Sequence, residues 1–245
     1  MTNSPVSSIT TGGQTVSVVA NGVTYQAKKI IVTAPTNYLA KSNTANGITF
    51  NPPLPSAYID AFGGLPLVPV YKALLGFKSA FNVPFSPPAP PATSFSVVVP
   101  LVNSEISTFF PNFWGTNTCE FIADGALAQQ LDAAGNAGAA ALLLNELEGT
   151  FPGATAAWDG RITGSSWMSN KYFGGAFSAA LPGQYPSRAL ISKPIGNQLW
   201  FAGEAASTEH GRGLLQAAFR SGAAAAAAAL KTIGLAEKTR GGALK

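Results

Sequence analysis

The residues with the most evident chemical potential lie in "LWFAGEAASTEHGRGLLQAAFRSGAAAAAAAL", residues 199–230. An apolar strand delivers Gly203 and Glu204 at its carboxyl end, a polar stretch containing His210 follows, and an alanine-rich helix is predicted from about Leu214 to Leu230. The carboxyl ends of strands in open α/β sheets are where ligands bind. The unpaired N–H groups and positive dipole end of the following helix favour an electronegative ligand atom. The bland alternative is an ordinary capped helix after a strand. His210 either faces a substrate or caps the turn. A second candidate is Lys72 in "VPVYKALLGF", where strand alternation puts it in phase with Val70 and Leu74 and predicts a buried face. An unpaired buried ammonium is costly, so the alternatives are a lysine held for chemistry or one that snorkels from a strand edge. The aromatic run Phe109, Phe110, Phe113 and Trp114 either lines an apolar pocket or belongs to a core.

These candidates need elements to position them. Val16–Val19 and Val23–Ala27 read as two strands joined by the hairpin turn Asn21-Gly22, and Lys29–Val32 as a third strand that stops before Pro35. A short helix is expected from Ser56 to Phe62 after Pro55, a strand at 68–77, a proline-rich loop at 83–92 and a strand at 95–101. Residues 106–121 read as strand-like. Two helices are expected at 126–134 and 137–148, a strand near 164–167, and a glycine turn at Gly174-Gly175. The pattern is a mixed α/β chain without internal repeats.

Composition narrows the function classes. Of 245 residues, 47% are hydrophobic and 11% charged, enough for a sizeable core and poor in surface charge, which hints at a surface covered by another chain. One cysteine, Cys119, excludes an internal disulfide and a cysteine-based metal site, and one histidine excludes a multi-histidine centre. The net charge is +4 with its 15 basic residues scattered, which argues against a nucleic-acid partner. The alanine run is too weakly apolar to span a bilayer, and the first residues lack the pattern of a signal peptide. The compartment is left open.

Four segments, in order along the chain, resemble the FAD-dependent amine oxidase family, which includes monoamine, polyamine and L-amino-acid oxidases. They are "SPVSSI…VSVVANGVTYQAKKIIVTAP", "ITFNPPLP" with "VPVYKALLGF", "SSWMSNKYFGGAF", and "LWFAGEAAS…SGAAAA". The resemblance implies an α/β, two-domain flavin amine oxidase fold. Residues 1–37 and 197–235 would belong to the FAD-binding domain, 38–196 to the substrate-binding domain, and 236–245 to a tail. It also implies roles. Val6 would meet the adenine end through its backbone. Gly203 and Glu204 would lie by the ribityl-pyrophosphate part. Gly213, Leu214 and Leu215 would bring the helix N-terminus to the flavin, and Trp167 would pack beside its ring. Lys72 would promote the reaction of reduced flavin with oxygen.

Phe177 would form one wall around the substrate amine, with Leu214 opposite and His210 nearby. Where monoamine oxidases carry a cysteine bonded to the flavin, this chain has Ala176, so the FAD is expected to be non-covalent. The non-aromatic Leu214 puts a two-ring cage in doubt. The family's G-x-G-x-x-G unit, which holds the pyrophosphate, has no counterpart here. The expectation is therefore the C-terminal half of an oxidase, with a second polypeptide supplying the dinucleotide-binding half from a cleaved precursor or another gene. Its substrates would be a small-molecule amine or amino acid and O2. A flavin dehydrogenase or desaturase that does not use oxygen, and a non-catalytic module without flavin, are the alternatives.

Overall fold

Local sequence signals account for most of the elements in the computed structural model, which describes residues 1–80, 106–165, 167–209 and 213–234. The chain divides into two units, residues 1–67 with 177–245, and residues 68–176. Segments 38–67 and 177–196 therefore group with the N- and C-terminal parts of the chain.

In the first unit, β1 (Val6–Thr10), β2 (Val16–Ala20), β3 (Val23–Ala27) and β5 (Thr49–Asn51) form a sheet in the order β3-β2-β1-β5. The β2–β3 turn has Asn21 at φ 50° and Gly22 at φ 75°. A two-residue hairpin loop that matches the strand twist requires this pair of left-handed residues. The third predicted strand, β4 (Ile30–Val32), leaves this meander and pairs in parallel with β10 (Leu199–Phe201). Helices α1 (Thr36–Leu39), α2 (Ser56–Gly63) and α5 (Ser187–Ile191) belong to the same unit. Its core gathers Ile9, Val16, Phe50, Phe62, Leu65, Ile191 and Phe201. The rings of Phe62 and Phe201 meet edge-on at 5.0 Å, a favoured aromatic geometry. The alanine-rich helix α6 (Leu215–Lys231) buries Ala217, Ala225 and Ala229. The last two pack with Trp200 and Ala202.

The second unit is an antiparallel sheet in the order β7-β8-β6-β9, built from β6 (Val70–Phe77), β7 (Ile106–Phe110), β8 (Thr118–Asp124) and β9 (Trp158–Gly164). Helix α3 (Gly125–Thr150) contributes Leu127, Leu131, Leu143 and Leu147 to the core, against Tyr71, Ala73, Leu75 and Phe77 of β6. Gly135, at φ 62° and ψ 178°, breaks α3 at the point separating the two predicted helices. The short helix α4 (Ala154–Ala157) follows, and Glu148 accepts the N–H groups of Gly153 and Thr155 at 2.7 and 2.8 Å.

Three expectations are corrected here. The strand expected near 164–167 lies earlier, at β9, because Gly164 ends the ladder with β6. The aromatic run does not act as a unit: Phe109 is wholly buried, whereas Trp114 is exposed in a left-handed conformation. Lys72 does not share a buried face. Its side chain is 57% exposed, because the phase that packs on α3 is that of Tyr71, Ala73, Leu75 and Phe77. The proline-rich segment 83–92 and the strand at 95–101 lie outside the described residues. No described helix is long and apolar enough to cross a membrane.

Two outcomes follow from this packing. Gly135→Ala forces a Cβ into a backbone region that L-residues avoid, and the unfolding free energy should fall by about 1–3 kcal/mol, read by denaturant titration. Cys119 is fully buried, and burial pushes its thiol up to about 12 despite a hydrogen bond from the Asn112 backbone. At pH 8 it should resist a thiol-reactive dye in the folded protein and react with one equivalent after unfolding.

Candidate functional site

Strand β10 ends at Phe201 and hands the chain to Gly203, whose φ of 135° and ψ of −179° lie in a region open essentially to glycine. The side of Gly203 where a Cβ would stand is open space. The Gly203 N–H donates to Ser221 Oγ of α6 at 3.1 Å, tying the strand end to the helix. A single turn of 3-10 helix, Glu204–Ala206, follows.

Glu204 is the centre of a polar network. Its Oε2 accepts the Ser178 N–H at 2.9 Å, and its Oε1 accepts the Ser178 hydroxyl at 2.8 Å and the Gly213 N–H at 3.0 Å. Arg188 of α5, only 4% exposed, brings Nη1 to 3.6 Å from Glu204 Oε1. The same guanidinium donates to Ser178 Oγ at 2.8 Å, to the Ser178 carbonyl at 3.0 Å and to the Ala205 carbonyl at 3.1 Å. A buried guanidinium is tolerated when its charge is paired and its donors find acceptors, and here Nη1 and Nη2 both do. One carboxylate thus fixes the entry of the 178 segment, the 3-10 turn and the residue before the N-cap of α6.

The network places the expected ligand-facing residues together. Gly213 is left-handed at φ 81°, and a Cβ there would meet the Phe177 ring at 3.5 Å, so Phe177 lies over the turn that opens α6. Leu214 takes the N-cap position in an extended conformation, without a side-chain cap among the described residues. Leu215 is 83% exposed and Phe219, one turn on, 76%. Phe177, Gly203, Glu204, Gly213, Leu214 and Leu215 are therefore joined by one local structure. Val6 stands elsewhere in the first unit, at the start of β1, where the pairing with β2 shifts register between Val6 and Ser8. His210 lies outside the described residues.

In the second unit, Lys72 Nζ is 3.7 Å from Glu120 on the neighbouring strand, on the face of β6 opposite α3. The Lys72 N–H donates to Ser165 Oγ at 2.9 Å, and the Ser165 N–H returns a bond to the Lys72 carbonyl at 2.8 Å. Trp167 is half-exposed and meets Phe173 edge-on at 5.2 Å. The Ala176 N–H donates to the Val68 carbonyl.

Arg188 and Ser178 escaped the sequence reading. The available signal was a lone arginine in the apolar run "SRALI", where a free surface charge has no reason to sit. Among the described residues no group of acidic, histidine or cysteine side chains could hold a metal ion.

The arrangement suits an anionic, planar, partly apolar group. The positive end of α6 has no side-chain cap among the described residues, Gly203 leaves open room beside the backbone, and Phe177 and Leu214 present apolar surface. A helix N-terminus stabilises negative charge at such a position. These features fit a flavin.

Comparison with known proteins agrees with that chemistry. The sequence pattern described as flavin containing amine oxidoreductase matches residues 1–230, and the chain belongs to that family. It is 30% identical over 212 residues to polyamine oxidase 4 of Oryza sativa subsp. japonica, covering 84% of this chain and 40% of that protein. A putrescine oxidase variant from a redesign of cofactor binding superposes with a TM-score of 0.70 at 19% identity, over 94% of this chain and 49% of that one. Cyclohexylamine oxidase from Brevibacterium oxydans IH-35A gives 0.68 at 20% identity, over 93% and 48%. The fold is thus that of part of a flavin amine oxidase, and the chain spans less than half the length of these relatives.

The Arg188 network has a measurable consequence. Arg188→Met leaves the Glu204 carboxylate without its cation and should cost about 3 kcal/mol of unfolding free energy. Arg188→Lys, which keeps the charge but has one nitrogen where Nη1 and Nη2 share the acceptors, should recover only part of it. Chemical denaturation of the three proteins reads the series.

Proposed function

We propose that this chain is one subunit of a two-chain FAD-dependent oxidase that acts on an amine or an L-amino acid. The observation that carries the reading is the N-terminus of α6, without a side-chain cap among the described residues, held beside Gly203 by the Glu204 network in a chain of the flavin amine oxidoreductase family. In this reading a second polypeptide supplies the G-x-G-x-x-G half.

Bound FAD would supply the two-electron oxidation of the amine to an imine, which water hydrolyses, with O2 as the final acceptor reduced to hydrogen peroxide. The contribution of this chain is orientation and electrostatics. The N–H groups opening α6 at Leu214 and Leu215 stabilise negative charge on the ring. Gly203 lets the backbone approach the ribityl-pyrophosphate part beside Glu204, and Val6 offers backbone to the adenine end. Phe177 and Leu214 supply apolar walls for the substrate amine, with His210 beside them, and Trp167 packs by the ring. Ala176 offers no nucleophile, so attachment there is non-covalent. Lys72 supplies an ammonium that positions a water and favours reaction with oxygen. Its exposed side chain, paired only loosely with Glu120, leaves that ammonium available.

Purification under native conditions should yield a yellow complex with one flavin and a second polypeptide carrying G-x-G-x-x-G. Anaerobic addition of an amine should bleach it, and air should restore the colour with release of peroxide. Bleaching without peroxide would point instead to a dehydrogenase, and a colourless, stable monomer would defeat the reading. Lys72→Met should slow reoxidation by oxygen roughly 100-fold while reduction changes little, in line with losing one preorganised charge. Equal slowing of both half-reactions, measured by stopped flow, would remove the assigned role.

A further inference from the structure

An acid and a base meet on the face of β6 and β8 that lies away from α3. Along β8, Cys119, Phe121 and Ala123 are buried in the core, so Thr118, Glu120 and Ile122 stand on the other face with Lys72 and Leu74 of β6. Glu120 is directly across from Leu74 on one side and from Phe110 of β7 on the other, two apolar neighbours. Lys72 is directly across from Ile122 and reaches Glu120 along the diagonal, with 3.7 Å between Nζ and Oε1. Diagonal cross-strand neighbours are within reach of long side chains.

The two partners are unequal. The Glu120 side chain is only 14% exposed, whereas the Lys72 ammonium stands out toward water. Stability does not explain the pair. Partly exposed ion pairs add little, and withdrawing a carboxylate from water between apolar neighbours is unfavourable. An acid kept for solubility would stand at the rim of the sheet, yet Glu120 sits on an inner strand, between β7 and β6.

Lysine has a long flexible stem, so an ammonium that has to act from one place needs a hold at both ends. The main-chain end is fixed. The N–H and the carbonyl of Lys72 both bond to Ser165, just beyond the Ala73–Gly164 pair that ends the ladder with β9. At the far end stands the Glu120 carboxylate, itself set by the inner strand.

We propose that Glu120 is the positioning residue for Lys72: its carboxylate holds the ammonium at one place on this face and so governs the reaction with oxygen, without itself touching oxygen or substrate. The inference rests on the oxygen role given to Lys72 above and adds the residue that makes that charge preorganised. At 3.7 Å the carboxylate steers the ammonium without engaging its three donors in a direct hydrogen bond, which leaves them for a water.

The test uses the natively purified yellow complex, reduced anaerobically with an amine and then mixed with oxygen in a stopped-flow instrument. Glu120→Gln keeps the shape and removes the charge. It should slow reoxidation roughly fivefold, the size of one partly exposed ion pair, while flavin reduction and the KM for the amine stay within about twofold. Glu120→Asp keeps the charge on a shorter stem and should fall between the two. In a Lys72→Met background Glu120→Gln should slow reoxidation no further, the mark of a residue that acts through another. A second readout needs no flavin. In the full chain with isotope-labelled lysine, NMR relaxation of the Lys72 Cε methylene should report an ordered side chain, and Glu120→Gln should free it to the mobility of Lys231, exposed at the end of α6.

Unchanged reoxidation in Glu120→Gln, with Lys72→Met still slow, overturns the positioning role and leaves the oxygen role of Lys72 intact. Faster reoxidation overturns it as well, since the carboxylate would then be drawing the ammonium away. A higher KM with reoxidation unchanged overturns it in favour of direct contact with the substrate. A further loss in the Lys72→Met background overturns action through Lys72. Unaltered lysine mobility overturns the hold itself, and a Lys72→Met complex that reoxidises normally overturns the oxygen role and the positioning role together.

Discussion

The Glu204 carboxylate is the constraint on which the junction between β10 and α6 depends. It is a single negative charge, largely withdrawn from water, and it accepts from the Ser178 backbone, the Ser178 hydroxyl and the Gly213 backbone, with Arg188 beside it. Segments far apart in sequence meet there. Without the carboxylate, the N–H groups of Ser178 and Gly213 and the buried guanidinium would each lose a partner, and such losses are more costly than the bonds are individually stabilising. The arrangement explains why a glutamate follows Gly203 at the end of an apolar strand. It holds the turn that presents the start of α6, whatever further contact it makes with a ligand.

The conformation of Gly203 is the local complement of that network. An extended strand has to turn through a region near φ 135° to deliver Glu204 inward and still let its own N–H reach Ser221. A side chain at this position would be strained even with open space around it, so the need for glycine here is conformational rather than steric. At Gly213 the left-handed backbone acts together with the Phe177 ring, which a Cβ would touch at 3.5 Å.

Features fixed by neighbouring residues were readable from the sequence, and features fixed by distant packing were not. The Asn21-Gly22 hairpin, the helix after Pro55 and the break of α3 at Gly135 are set by turn and glycine chemistry within a few residues. The strand that ends at Phe201 before Gly203 and the helix that starts at Leu215 were legible from the sequence. The environment of Lys72 was not. "VYKALLGF" is apolar in both alternating phases, so period two does not choose a face; α3 chooses it, by packing against Tyr71 and Ala73. Arg188 was hidden for the same reason. Nothing within five residues of it is acidic, and its partner Glu204 comes from another element. The departure of β4 from the meander likewise depends on β10, far along the chain.

Helix α6 shows how much of this architecture is left to weak forces. Its buried contacts are methyl groups, Ala217, Ala225 and Ala229, each contributing roughly 0.8 kcal/mol as one buried carbon. Its own propensity is high, since alanine is the best helix former, so the helix persists as a rod even where little holds it. The large apolar side chains at its start, Leu215 and Phe219, lie on one face and are turned outward. Small residues bury little area but allow a close approach, so a helix of this kind is suited to fixed spacing against a flat surface rather than to strong anchoring. The Ser221 hydroxyl on Gly203 and the Glu204 contact to Gly213 then supply the directional restraint that the methyl groups cannot. Position is set by these polar ties at the N-terminal end, which is also the end where the helix dipole can act on a ligand.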